Sequence, residues 1–96
     1  MTWTVSSKSQ AQRRRERELR DREDAIACAE RAGHCCDVCG YWAPYPRGQM
    51  HHSSRKASMA IRHNRDLHIW LCVKDHREEH STGAHTDAIT RILANR

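Results

Sequence analysis

Cys36 and Cys39 are separated by two residues, with Gly40 directly behind them. Far along the chain, Cys72 opens the run Cys72-Val73-Lys74-Asp75-His76, and the doublet His51-His52 lies between the two. A Cys-x2-Cys pair lets two thiolates converge on one ion, and a glycine after the second cysteine relaxes the tight turn in which backbone amides point at sulfur. Cys35 would leave a three-residue gap to Cys39, so the spacing selects Cys36. Imidazoles grouped between such knuckles point to separate chemistry, so the pattern predicts one structural metal and one reactive centre. Cys28 falls in a helical stretch and is expected to be a small buried residue.

A structural metal also answers a problem of size. Ninety-six residues that are 38% apolar, 30% charged and free of Phe make one domain with little to bury. Chains of this kind usually need a staple, either disulfides or a metal. Residues 1–30 contain no apolar run of the export-signal type, and no stretch approaches the roughly 20 apolar residues of a membrane span. The expectation is a reducing, cytoplasmic setting without membrane contact, where cysteine pairs favour zinc over disulfides. The odd cysteine count agrees. A net charge of +5 makes a polyanion, nucleic acid first, the expected partner.

Several elements must position these residues. Residues 1–8 read as a disordered tail. Residues 9–32 read as one long charged helix, capped by Ser9 and closed by Gly33, with Arg13, Arg14 and Arg15 in its projecting first half. Only its second half, about 19–32, carries an apolar stripe. The first half is expected to act as an arm, toward a phosphate backbone or a protein partner. Residues 33–96 form the remaining domain. Gln49 to His52 reads as a short strand, 53–65 as a basic connection, and 67–72 as a second strand with Leu67, Ile69 and Leu71 on one face. The two strands are expected to pair as a hairpin. Residues 74–81 read as a helix on which His76 and His80 share a face, and about 87–95 as a last short helix capped by Thr86, with an apolar stripe of Ile89, Ile92 and Leu93. His34, His63, His68 and His85 are expected at the surface.

The ordered set Arg31-Ala32-Gly33-His34-Cys35-Cys36-Asp37-Val38-Cys39-Gly40, then Met50-His51-His52, then Leu71 through His80, resembles the zinc-containing branch of the HNH endonucleases. The resemblance covers about residues 31–82, roughly half the chain. It implies a small α+β fold stapled by zinc, a treble-clef-like ββα-metal core flanked by the long charged helix and the short last one. It also implies metal-dependent DNA endonuclease activity, nicking or cutting. By position His51 and His76 would bind a catalytic divalent ion (Mg2+, Mn2+, Ni2+ or Zn2+). His52 would be the general base, and Asn64 would steady the His52 loop. Arg55, Lys56, Arg62 and Arg65 would hold DNA phosphates. Small proteins of this resemblance serve bacteria and bacteriophages, so the implied setting is a bacterial or phage-infected host cell.

Two positions depart from the family pattern. Asp75 stands where a second cysteine is usual, which predicts a structural Zn2+ held by Cys36, Cys39, Cys72 and Asp75, with His80 and Cys35 as rival fourth ligands and an empty site as the other outcome. Asn64 stands three residues earlier than the family's asparagine, which leaves His63, Asp66 and His68 as rivals for its role. Two function classes follow: a catalytic nuclease, or an inactive zinc-stapled nucleic-acid-binding module. A protein–protein zinc module with the charged helix as its arm is a third.

Overall fold

The computed structural model describes residues 8–52 and 59–96. The expected Arg55 and Lys56 contacts lie outside the described residues.

Helix α1 spans Gln10–Arg31. It starts in a reciprocal capping box: the Gln12 amide donates to Ser9 Oγ at 3.1 Å, and the Ser9 amide donates to Gln12 Oε1 at 2.9 Å. Residues 10–20 are exposed, Leu19 included at 51%, so packing begins at Asp21, two residues later than the stripe predicts. The helix ends through two consecutive left-handed residues, Gly33 and His34. This reversal sends residues 35–42 into a tight antiparallel turn. The Cys36 amide donates to the Tyr41 carbonyl at 2.8 Å, and the Gly40 amide to the Cys36 carbonyl at 2.9 Å.

Strands β1 (Gln49–His52) and β2 (His68–Leu71) form an antiparallel pair, with His51 opposite Ile69 and His52 opposite His68. Between them run a short helix α2 (Met59–Arg62) and a 3-10 turn (Arg65–Leu67), so the stretch read as an irregular connection is partly helical. Helices α3 (Val73–Thr82) and α4 (Thr86–Ala94) follow. The fold is a small α+β arrangement. No described helix is long and apolar enough to cross a membrane.

Strand β2 is the centre of this arrangement. All four of its residues are buried. On one face Trp70 packs with Cys28 and Ala29 of α1; on the other Ile69 and Leu71 pack with Cys36, Ala43, Cys72 and Ile89. Its free edge is closed by the cysteine turn: the Trp70 amide donates to Asp37 Oδ2 at 2.8 Å, and the Asp37 amide donates to the Trp70 carbonyl at 2.7 Å. The expectation that His68 lies at the surface is therefore corrected. Helix α1 covers the face that a two-layer hairpin would leave to water, and His68 is fully buried.

The Trp70 indole fixes the approach to β1. Its Nε1 donates to the Ala43 carbonyl at 2.7 Å, and its ring lies against Gly48. A Cβ on Gly48 would come within 2.6 Å of Trp70 Nε1, closer than atoms can approach. Gly48→Ala is expected to cost about 1–3 kcal/mol of stability through this overlap. Chemical denaturation checks it, and an unchanged midpoint would contradict the packing described.

Candidate metal centres

The first centre grows out of the two ends of this core. The Cys36–Cys39 turn supplies two thiols, the end of β2 a third, and the first turn of α3 a carboxylate. One donor atom from each of Cys36, Cys39, Cys72 and Asp75 lies within 4.8 Å of the other three. Cys72 is the N-cap of α3, and its sulfur accepts from the Asp75 amide at 3.4 Å. Thus the capping geometry that starts the helix also turns Asp75 inward. The Cys39 and Cys72 sulfurs are 3.8 Å apart. Two thiolates on one tetrahedral zinc, each at about 2.3 Å, stand roughly 3.8 Å apart.

Burial and mutual hydrogen bonds set the protonation of this cluster. Cys36 Sγ donates to Asp75 Oδ2 at 3.1 Å. The Asp75 carboxylate, with burial adding to it, pushes the Cys39 thiol up to about 12. Burial raises Cys36 as well, against backbone amides that lower it. Burial alone would raise Asp75, but hydrogen bonds from the three thiols and the charge of His85 hold it below the usual carboxylate range. Four donors packed this closely cannot all ionise without a cation, and a divalent ion would displace the thiol protons. The donor set is compatible with zinc. His80 and Cys35, the rival fourth ligands, are not in the cluster.

The second centre uses an adjoining face of α3. His51 of β1 meets His76 and His80 of α3, and these three form a second group of close donor atoms. The His76 and His80 Nε2 atoms are 3.2 Å apart, and the His51 ring centroid is 5.7 Å from His76 and 5.5 Å from His80. Burial lowers the His51 pKa, the His80 charge lowers it further, and Glu79 partly offsets both. A neutral imidazole is the ligand form. A cavity of about 270 Å3 opens beside His51, lined also by Glu79, Thr86 and Thr90.

Sequence reasoning paired His51 with His76 and left His80 to the other site. The signal for His80 was present, since positions 76 and 80 share a helix face. His52 follows His51 on the strand and therefore faces the opposite way, toward α1. There its ring meets His68 edge-on, with centroids 4.9 Å apart. His68 Nε2 donates to the Arg62 carbonyl at 2.8 Å, which ties the end of α2 to β2. Asn64 makes a different contact: its side chain accepts from the Asp66 amide at 3.1 Å and caps the 3-10 turn. Of the rivals for steadying the His52 region, His68 has the geometry.

Arg62 and Arg65 bind acids of α1. The Arg62 guanidinium grips both oxygens of Asp21, and Arg65 Nε lies 3.0 Å from Asp24 Oδ1. His63, expected at the surface, is 5% exposed, with Nδ1 2.7 Å from Asp24 Oδ2. Burial alone would raise the Asp24 carboxyl, but hydrogen bonds from His63 and Arg65 hold it below its ordinary range. His85, also expected at the surface, sits between Asp75 and Glu78.

In comparisons with known proteins, the chain matches no protein-family model, no curated protein and no solved structure.

The Asp24 network has a measurable consequence. Its folded pKa lies below the unfolded value, so its contribution is present at neutral pH and is lost as pH falls through the folded value. Asp24→Asn is expected to lose about 1–3 kcal/mol at pH 7, and the gap to wild type should shrink below about pH 4. Denaturant unfolding at both pH values checks this. A gap that is independent of pH would contradict it.

Proposed function

We propose that the chain is a metal-dependent DNA endonuclease of HNH type, built on a treble-clef-like zinc scaffold. The observation that supports it best is the meeting of His51, His76 and His80 across the β1–β2–α3 unit. In this reading the cysteine cluster is structural, with Zn2+ held by Cys36, Cys39, Cys72 and Asp75. The zinc staple fixes the start of α3, and so places His76 and His80 against β1.

Residues His51, His76 and His80 would hold the catalytic divalent ion. Three imidazoles suit Zn2+ or Ni2+ better than Mg2+ or Mn2+, which prefer oxygen donors. When bound, such an ion supplies Lewis-acid polarisation of a phosphate oxygen and leaves coordination positions open. The remaining steps belong to the chain. His52, at the end of β1, accepts a proton from the attacking water, a general-base role to which imidazole is suited. His68 braces the His52 ring, and its bond to the Arg62 carbonyl holds the neighbouring turn. A phosphodiester crossing the end of β1 would reach both faces of the strand, and thus both His51 and His52. Arg55 and Lys56, on the basic segment after β1, would neutralise phosphates. Arg62 and Arg65, engaged with Asp21 and Asp24, would do so only by sharing those partners. The exposed first half of α1 remains available to DNA or to a protein partner.

A second reading, a zinc-stapled nucleic-acid-binding module without turnover, is favoured by one observation. The Asn64 side chain is engaged in capping a local 3-10 turn.

The test is nicking of supercoiled plasmid with Mn2+, Ni2+, Zn2+ or Mg2+. Wild type should nick, most strongly with a transition metal. His52→Ala should lower the rate by about 100-fold or more with metal binding retained. His80→Ala should weaken the response to metal concentration. DNA binding without metal-dependent cleavage would leave the binding module.

A further inference from the structure

We propose that His85 is a positioning residue for the zinc centre. It fixes the Asp75 carboxylate so that one oxygen faces the three thiols, and it ties α4 to the metal. The inference rests on reading Cys36, Cys39, Cys72 and Asp75 as a zinc site.

The two Asp75 oxygens have different partners. Oδ2 faces the thiols, 3.1 Å from Cys36 Sγ, and Oδ1 lies 3.3 Å from His85 Nε2. The same Nε2 is 3.0 Å from Glu78 Oε1. Nε2 donates its hydrogen bond to Glu78 Oε1, and Asp75 Oδ1 is held beside it at ion-pair distance. Asp75 itself is buried, at 4% exposure, so nothing from solvent is needed to set its rotamer.

The turn that carries His85 is held in its own right. The His85 amide donates to Glu79 Oε1 at 2.7 Å, and Thr86 Oγ1 donates to Glu79 Oε2 at 2.6 Å. Gly83, in the left-handed region, closes α3 just before this turn. Glu78 and Glu79 of α3 are thus bonded to residues 85–86, and Asp75 is in ion-pair contact with His85. His85 reaches the metal cluster from a fixed base, which a contact must have to orient a ligand.

The chemistry explains the need. A thiolate offers one donor atom and little choice of orientation. A carboxylate offers two oxygens and can rotate between one-oxygen and two-oxygen coordination. A hard oxygen among three soft thiolates also binds zinc less well than a fourth sulfur would. Holding Oδ1 away on an imidazole leaves Oδ2 alone for the ion and recovers affinity through preorganisation. Residues 75 and 85 therefore work as a pair, and a cysteine at position 75 would have no use for the imidazole.

Zinc affinity of the full chain, read by competition with a chromophoric chelator, tests the pairing. His85→Ala is expected to weaken zinc binding by about 10- to 100-fold. His85→Phe keeps the ring, drops the nitrogen and should show the same loss, which guards against a simple packing defect. In an Asp75→Cys background, His85→Ala should leave zinc affinity unchanged. The cobalt-substituted protein adds a spectroscopic signature, since its visible bands should shift in His85→Ala and not in the Asp75→Cys pair. Equal loss on both backgrounds, or no loss on either, would overturn the inference while zinc uptake by wild type stands. A wild-type chain that takes up no zinc would overturn the zinc reading and the inference with it.

Discussion

Three thiols and a carboxylate drawn within 4.8 Å of one another are the constraint on which the rest of the molecule depends. They join the turn after α1, the end of β2 and the start of α3, three segments that also meet in one small apolar cluster. Without a cation the cluster keeps protons on sulfur that ligation would release. With one, the binding free energy becomes folding free energy, on the order of 10 kcal/mol for structural zinc. The apolar core is two small groups on either side of β2, so a term of that size decides whether the chain folds.

Helix α3 links this cluster to a second group of close donor atoms. Cys72 caps it and Asp75 turns inward to the sulfurs, while His76 and His80, on another face, meet His51. One helix thus serves both centres, and a change in its seating would move two of the three imidazoles together. Glu79 lies between them, accepting from His85 and Thr86 while its charge acts on His51. The turn before α4 therefore touches the surroundings of both centres.

Much of this was legible in the sequence, and the parts that were not have physical reasons. The Ser9 cap, the strand Gln49–His52 and the start of α3 follow from local chemistry and spacing, and they appear where expected. The cysteine and aspartate positions come together as their order predicts. Burial of His68 was hidden because alternation in a strand implies one face in water, and α1 covers that face. The arginines of 62–65 read as free cations because nothing local shows that Asp21 and Asp24, some forty residues earlier, lie against them. Thr86 reads as a helix cap by residue type, but Glu79 takes its hydroxyl, and His85 stands at the cap position without a side-chain capping bond. In each case a contact between distant segments overrode a local preference.

The central claim is that one ββα unit carries two chemically distinct metal centres. X-ray absorption at the metal edge, on protein loaded with zinc and then with nickel or manganese, tests it most directly. The predicted result is zinc with three sulfur neighbours at about 2.3 Å and one oxygen, and a second metal with imidazole nitrogen neighbours and no sulfur. A single metal with mixed sulfur and imidazole neighbours would contradict it, as would a second metal whose surroundings are unchanged in His80→Ala.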